Sequence, residues 1–285
     1  MTSSNSRLTI RKAALDDVKL MADWAAAEGW NPGLFDAGVF YSADTDGFLI
    51  GELDQQPVSC ISVVKYNDDF GFLGFYIVKP EFRGKGFGIQ TWKAGLDYLS
   101  GCNIGLDGVV EQQDNYKTSG FTLAYRNIRY EGAGGGEVAD MKDVVDLSDF
   151  PEEALSQYDR KFFPADRSTF LHHWLRQPNA HTAGLVRENR LCGYGVIREC
   201  RSGYKIGPLF ADTPEIAERL FLVLKSHATE KDKIYLDIPA PNPAALALVE
   251  KYAMSPVFET ARMYTKAAPE ISVDRLYGVT SFELG

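Results

Sequence analysis

Residues 83–88 read R-G-K-G-F-G and follow an apolar run that ends at Pro80. Glycine has no Cβ, so the backbone here can close on a bound anion, and the free N–H groups at the start of a following helix point the same way. Arg83 and Lys85 add positive charge at that spot. The chemistry on offer is the cradling of a phosphate or pyrophosphate. Neither G-x-x-x-x-G-K-[ST] nor the G-x-G-x-x-G of dinucleotide folds occurs here, so both of those phosphate loops are set aside. Metal chemistry has little support. His172 and His173 are adjacent on a helix and point different ways, while His181 and His227 stand alone. The four cysteines show no C-x-x-C spacing and read as reduced thiols; Cys60 and Cys192 lie in apolar runs as small buried hydrophobes.

The elements that must hold this turn follow from hydrophobic periodicity. Alternation over residues 8–12 gives a first strand, and Leu15, Val18, Leu20, Met21, Trp24 and Ala25 put an amphipathic helix over 13–28. Gly29 and Asn31-Pro32-Gly33 stop it. A short helix over 34–41 precedes strands at 47–53 and 58–66, a hairpin pair. Residues 70–78 are almost wholly apolar and read as a central strand. A helix over 87–100, with apolar positions at Ile89, Trp92, Leu96 and Leu99, follows the glycine turn. A strand at 104–108, a helical segment near 112–119 and a strand at 121–130 complete a β-α-α-β-β-β-α-β-α-β order.

Gly132 and Gly134-Gly135-Gly136 then mark a linker, and the expected division is 1–132, a linker at 133–137, and 138–285. The second part repeats the order more loosely: a helical stretch over 152–177 interrupted at Pro164, strands at 181–187, 191–199 and 204–210, and a helix over 213–227 with Thr213 as cap. A strand at 233–238, a helix at 242–252 and a strand at 256–265 follow, and 276–280 reads as a last strand closing a sheet.

Thirty Lys+Arg against 39 Asp+Glu give a net charge of -9, a poor match for nucleic-acid binding by counterion release. A neutral or cationic small substrate suits that field better. No apolar run approaches the ~18 residues of a membrane span, and the polar residues 1–7 do not read as a signal peptide. The expected setting is cytoplasmic, with no nucleic-acid or membrane partner.

The turn fits the [RQ]-x-x-G-x-[GA] pattern of the Gcn5-related N-acetyltransferase (GNAT) superfamily, with Arg83, Gly86 and Gly88 at the defining positions. Ile77-Val78-Lys79-Pro80 resembles the strand end that precedes this loop in the family. Asn115-Tyr116-Lys117-Thr118-Ser119-Gly120-Phe121 resembles its closing Tyr-x-x-x-Gly-Phe element. In the second part, Asn242, Ala245, Leu248 and Glu250-Lys251 resemble the family's N-x-x-A-x-x-L-Y-E-K helix, with Val249 in place of the tyrosine. Ala211-Asp212-Thr213-Pro214 stands where a second glycine loop would be. The resemblance implies a mixed-sheet α/β GNAT fold in two tandem domains, the second degenerate.

It further implies acetyl-CoA as co-substrate, no metal, and a small-molecule primary amine as acceptor. The backbone of Arg83, Gly84, Lys85, Gly86, Phe87 and Gly88 would hold the pyrophosphate, with Asn115 beside the coenzyme. Exposed backbone of Tyr76, Ile77 and Val78 would pair with the pantetheine arm, and an N–H near Val78 would stabilise the oxyanion. Tyr116 would act as general acid on the leaving sulfur. Trp30, Asn31, Phe35 and Asp36 are the acceptor-pocket candidates, joined by Tyr204 from the second part. No residue stands out as the general base: Phe72 occupies the place near which many members carry a glutamate, and Asp68 and Asp69 read as solvated turn residues. A non-catalytic acyl-CoA sensor is the alternative that this gap leaves open.

Overall fold

A computed structural model describes residues 7–137, 140–148 and 150–285. The first part runs β1 (Thr9–Lys12), α1 (Leu15–Ala27), α2 (Asp36–Ala43), β2 (Phe48–Leu53), β3 (Gln56–Lys65), β4 (Phe70–Val78), α3 (Phe87–Tyr98), β5 (Asn103–Val109), α4 (Gln113–Thr118) and β6 (Thr122–Ala133). That is the order expected from periodicity. Asp54 and Gln55 both have positive φ (48° and 65°), the two-residue turn that suits the twist of the β2–β3 hairpin. Ile89 departs from expectation: it is 51% exposed at the first turn of α3, while Trp92 on the same helix is buried.

The second part runs β7 (Val144–Val145), α5 (Glu152–Asp159), α6 (Ser168–Leu175), β8 (Ala180–Arg187), β9 (Arg190–Glu199), β10 (Tyr204–Ala211), α7 (Pro214–Lys225), β11 (Lys233–Pro239), α8 (Pro243–Lys251), β12 (Ser255–Tyr264) and β13 (Leu276–Gly278). The stretch expected as one interrupted helix over 152–177 is two helices. Between them the chain folds back so that the Arg167 guanidinium can clamp the Asp159 carboxylate, Nε and Nη2 each at 2.8 Å. Thr213 caps α7 through its hydroxyl, and Asn242 caps α8 by accepting from Ala244 and Ala245. His181 and His227 do not stand alone: their rings stack with centroids 3.9 Å apart.

One sheet carries the whole chain, in the order β1-β2-β3-β4-β5-β12-β6-β11-β10-β9-β8-β7, with β13 paired to β10. The two parts exchange strands at its centre. β12 lies antiparallel between β5 and β6, and β6 pairs with β11. The exchange is stitched by buried bidentate ion pairs: Arg129 of β6 with Asp237 of β11, and Arg262 of β12 with Asp107 of β5. The largest core cluster is also shared, with Phe40 of α2 stacked on Trp174 of α6 at 5.9 Å. All four cysteines are free and buried. Among the described residues, no helix is long and apolar enough to cross a membrane.

Candidate active site

β4 and β5 are parallel partners only from Phe70↔Asn103 to Leu73↔Leu106. Beyond that rung β4 continues to Val78 and β5 to Val109, so the strands splay and leave facing backbone edges without partners in each other. The splay starts where β4 is distorted. Its register against β3 shifts between Cys60 and Ser62, and Phe75 has a φ of 44°. A V-shaped cleft results. It opens into a cavity of about 740 Å³ lined by both arms, by the glycine turn and by parts of the second half of the chain.

The turn leaves room for an anion at the start of α3. Gly84 and Gly86 have φ of 74° and 80°, left-handed values that suit glycine, and a Cβ on either would meet nothing within 4 Å. Gly86 caps α3, whose first N–H groups therefore face the turn. Gly88 is tight for another reason: its Cβ would sit 2.6 Å from the Tyr76 hydroxyl, so a larger residue would require the Tyr76 side chain to shift. Arg83 donates from Nε to the Val78 carbonyl at 2.8 Å and pairs with Glu28 at the cavity wall.

Tyr116 lies at the other arm. Its ring stacks on Trp92 at 5.6 Å and covers Gly108 of β5, where a Cβ would fall 2.1 Å from Cε2. Burial, then the neighbouring Tyr76 and Glu111, pushes its hydroxyl well above the usual phenol range, so it carries its proton at neutral pH.

Of the residues singled out from sequence, Trp30, Tyr76, Ile77, Val78, Arg83, Gly84, Gly86, Gly88 and Tyr116 line this one cavity. Lys85, Phe87 and Asn115 sit beside it. Lys85 donates to the Glu81 carbonyl, Phe87 packs on Phe82, and Asn115 donates to Gln112. Asn31, Phe35, Asp36 and Tyr204 lie outside its lining. Asn31 exchanges two hydrogen bonds with the backbone of Ser202, and Phe35 is 39% exposed ahead of α2. Asp36 is not open to an amine: it is fully buried, takes the Gly33 N–H, and is held by Arg198 of β9 at 2.8 Å. Tyr204 opens β10 beside Glu199.

Sequence reasoning missed the far wall. Asp107, Phe258, Thr260, Phe282 and Glu283 all line the cavity, and the last four come from β12 and the residues after β13. They are brought there by the strand exchange and by a tail that enters under β4, for which no local motif exists. No cluster of His, Cys, Asp or Glu that could hold a metal occurs among the described residues.

Comparison with known proteins gives two matches along the chain. Residues 15–121 match the model of the acetyltransferase (GNAT) family, and residues 155–278 match a second acetyltransferase (GNAT) domain model. A holothin acyltransferase from Pseudoalteromonas sp. (strain SANK 73390) is 28% identical over 277 residues, spanning 97% of this chain and 94% of that protein. The crystal structure of a putative acetyltransferase from Pyrococcus horikoshii superposes with a TM-score of 0.83 at 26% identity, over 100% of this chain and 99% of that one. A tandem GNAT protein from the clavulanic acid biosynthesis pathway shares the fold at 11% identity, with a TM-score of 0.63 over 92% of this chain and 100% of its own.

Proposed function

We propose that this chain, an acyltransferase of the GNAT family with two such domains in tandem, transfers an acetyl group from acetyl-CoA to a small-molecule primary amine in the β4–β5 cleft, with Tyr116 as general acid. The observation that carries the reading is the cleft itself: a splayed parallel pair with an anion-accepting glycine turn at one end and a protonated tyrosine across it. Coenzyme A would supply an activated thioester. The N-terminus of α3 with Gly84, Gly86 and Gly88 would hold its pyrophosphate, and the cleft-facing edge of Tyr76, Ile77 and Val78, where the Val78 carbonyl already accepts from Arg83, would take the pantetheine amides as an added strand does.

Tyr116 keeps its proton because burial disfavours the phenolate, so it enters the reaction as a donor. It would pass that proton to the departing sulfur, a role worth roughly 10²–10⁴ in rate. The acceptor would enter from the side of Trp30, Phe258 and Phe282, where three aromatic rings give the cavity an apolar wall. The holothin acyltransferase relative makes holothin a first acceptor to try.

The test is thiol release from acetyl-CoA with a panel of primary amines, holothin and arylamines included. Turnover with at least one amine is expected, and a Tyr116→Phe drop of about 10²–10⁴ in kcat at unchanged coenzyme affinity. Tight coenzyme binding without thiol release across the panel would sink the enzyme reading in favour of an acyl-CoA sensor. An undiminished Tyr116→Phe would remove the assigned acid.

A further inference from the structure

Four carboxylates line the cavity, and three are accounted for. Glu28 is paired with Arg83. Asp107 takes two hydrogen bonds from Arg262 and one from Asn127. Glu111 is exposed at the mouth beside Tyr116. Glu283 is different. It is 3% exposed, and its carboxylate accepts no hydrogen bond from any described residue. It belongs to the cavity lining.

Its placement relative to Tyr116 follows from the strand alternation. Leu73 and Tyr116 belong to one core cluster, on the face covered by α3 and α4. Phe72 packs on the opposite face with Phe163 and Tyr264, and the tail runs there: the Cβ position of Gly285 lies 2.9 Å from the Phe72 ring. Gly74 shares the face of Phe72, and its missing Cβ is replaced by the backbone of Glu283, whose carbonyl oxygen is 2.1 Å from that position. So Glu283 reaches the cleft just beyond the last β4–β5 rung from one face of the sheet. Tyr116 covers Gly108 from the other.

We propose that Glu283 is the general base of the acyl transfer, taking the proton of an amine whose flat apolar body lies against Trp30, Phe258 and Phe282. This rests on the acyl-transfer reading above. The nitrogen forms a bond to the thioester carbon as the carbon–sulfur bond breaks. The Glu283 carboxylate takes one proton from that nitrogen, and Tyr116 gives its own to the sulfur. The products are an amide and a free thiol, and the pair resets by proton exchange through cavity solvent. Thr260 supplies a second polar contact: its hydroxyl is buried in the lining with no described partner. The charges facing Glu283 are Lys205 and Arg198 from β10 and β9, Arg129 from β6 and Asp36 from α2. Arg198 is already paired with Asp36, and Arg129 with Asp237. Burial outweighs them and lifts the carboxyl above its ordinary range, toward the working pH that suits a base.

The experiment compares wild type with Glu283→Gln in pH–rate profiles, using an arylamine that stays uncharged across the neutral range. Coenzyme binding is measured in parallel by calorimetry. Wild type should lose kcat/KM on the acid side with a midpoint above about 4.3, the free glutamate value. Glu283→Gln should bind coenzyme as tightly, fall about 10²–10⁴-fold, and lose that limb. Should Glu283→Gln fold poorly, Glu283→Asp decides: a reduced rate with the acid limb kept supports the base, and loss of the limb overturns it. A folded Glu283→Gln with the wild-type rate and profile overturns Glu283 alone. A wild type that releases no thiol with any amine overturns the acyl-transfer reading and the base with it.

Discussion

Gly74→Ala probes the tail without touching an ionisable group. The new Cβ would fall 2.1 Å from the Glu283 carbonyl oxygen and 2.9 Å from its C and Cα atoms, against about 3.0 Å for the closest tolerated contacts. These are backbone atoms, so no rotamer relieves the clash; the tail must retreat by roughly 0.9 Å, the difference between 3.0 and 2.1. It is poorly free to do so. Arg167 donates to the Gly285 carbonyl at 2.9 Å and to the Thr280 hydroxyl at 3.0 Å, and Tyr66 donates to the Leu284 carbonyl at 2.9 Å. Overpacking of this kind costs about 1–3 kcal/mol, and a displacement near 1 Å at reacting groups costs on the order of 10² in rate. The expected outcome is a stability loss in that range by urea unfolding, with kcat/KM for the amine down about 100-fold. Coenzyme affinity should hold, because the glycine turn lies at the far end of the cleft. Gly38→Ala is the control: it is exposed in α2 with nothing within 4 Å of its Cβ position, and should gain a few tenths to about 1 kcal/mol. Gly74→Ala at wild-type stability and rate would refute the placement of the tail and its link to chemistry.

Two further outcomes concern the buried charges. Arg129→Ala leaves Asp237 buried without its bidentate partner and strips the Trp30 carbonyl of a donor, so a loss of about 3–5 kcal/mol is expected by denaturant unfolding. Glu283 has the opposite sign. Burial raises its carboxyl pKa in the folded chain, so the folded state holds the proton more tightly than the unfolded state. Stability is therefore lost as pH rises from the unfolded value of about 4.3 through the folded one. Glu283→Gln should equal wild type in stability near pH 4 and exceed it at pH 8; a gap that shrinks with rising pH would contradict this.

How far the site could be read beforehand depended on how far each residue reaches along the chain. The glycine turn and Tyr116 were legible because each acts through its own few neighbours: a strand end before Pro80, a helix start at Gly86, a helix end before Gly120. The element order was legible for the same reason. Asp36 was misread because its partner, Arg198, lies 162 residues away on β9. Phe258 and Thr260 carried no signal because their position depends on β12 crossing into the first half of the sheet, and Phe282 and Glu283 because theirs depends on the tail packing against Gly74 of β4. The base could not be found on β4 because it comes from the tail.

That tail also bears on why one cleft and not two should work. β10 and β11 pair in parallel only from Tyr204↔Ile234 to Ile206↔Leu236 and then separate, as β4 and β5 do. Here the gap is filled. β13 lies antiparallel on β10 through Leu209↔Gly278 and Phe210↔Leu276, and Val279 donates to the Asp237 carbonyl on the other arm. The backbone groups that a pantetheine arm would need are taken by the protein's own strand. The turn after β10 holds Thr213 as a helix cap in place of glycines. Five residues beyond Gly278, the same segment brings Glu283 to Gly74 in the first cleft. One stretch of chain thus closes the second cleft and supplies the acceptor wall of the first, so freeing the second cleft for coenzyme would displace the base from the first.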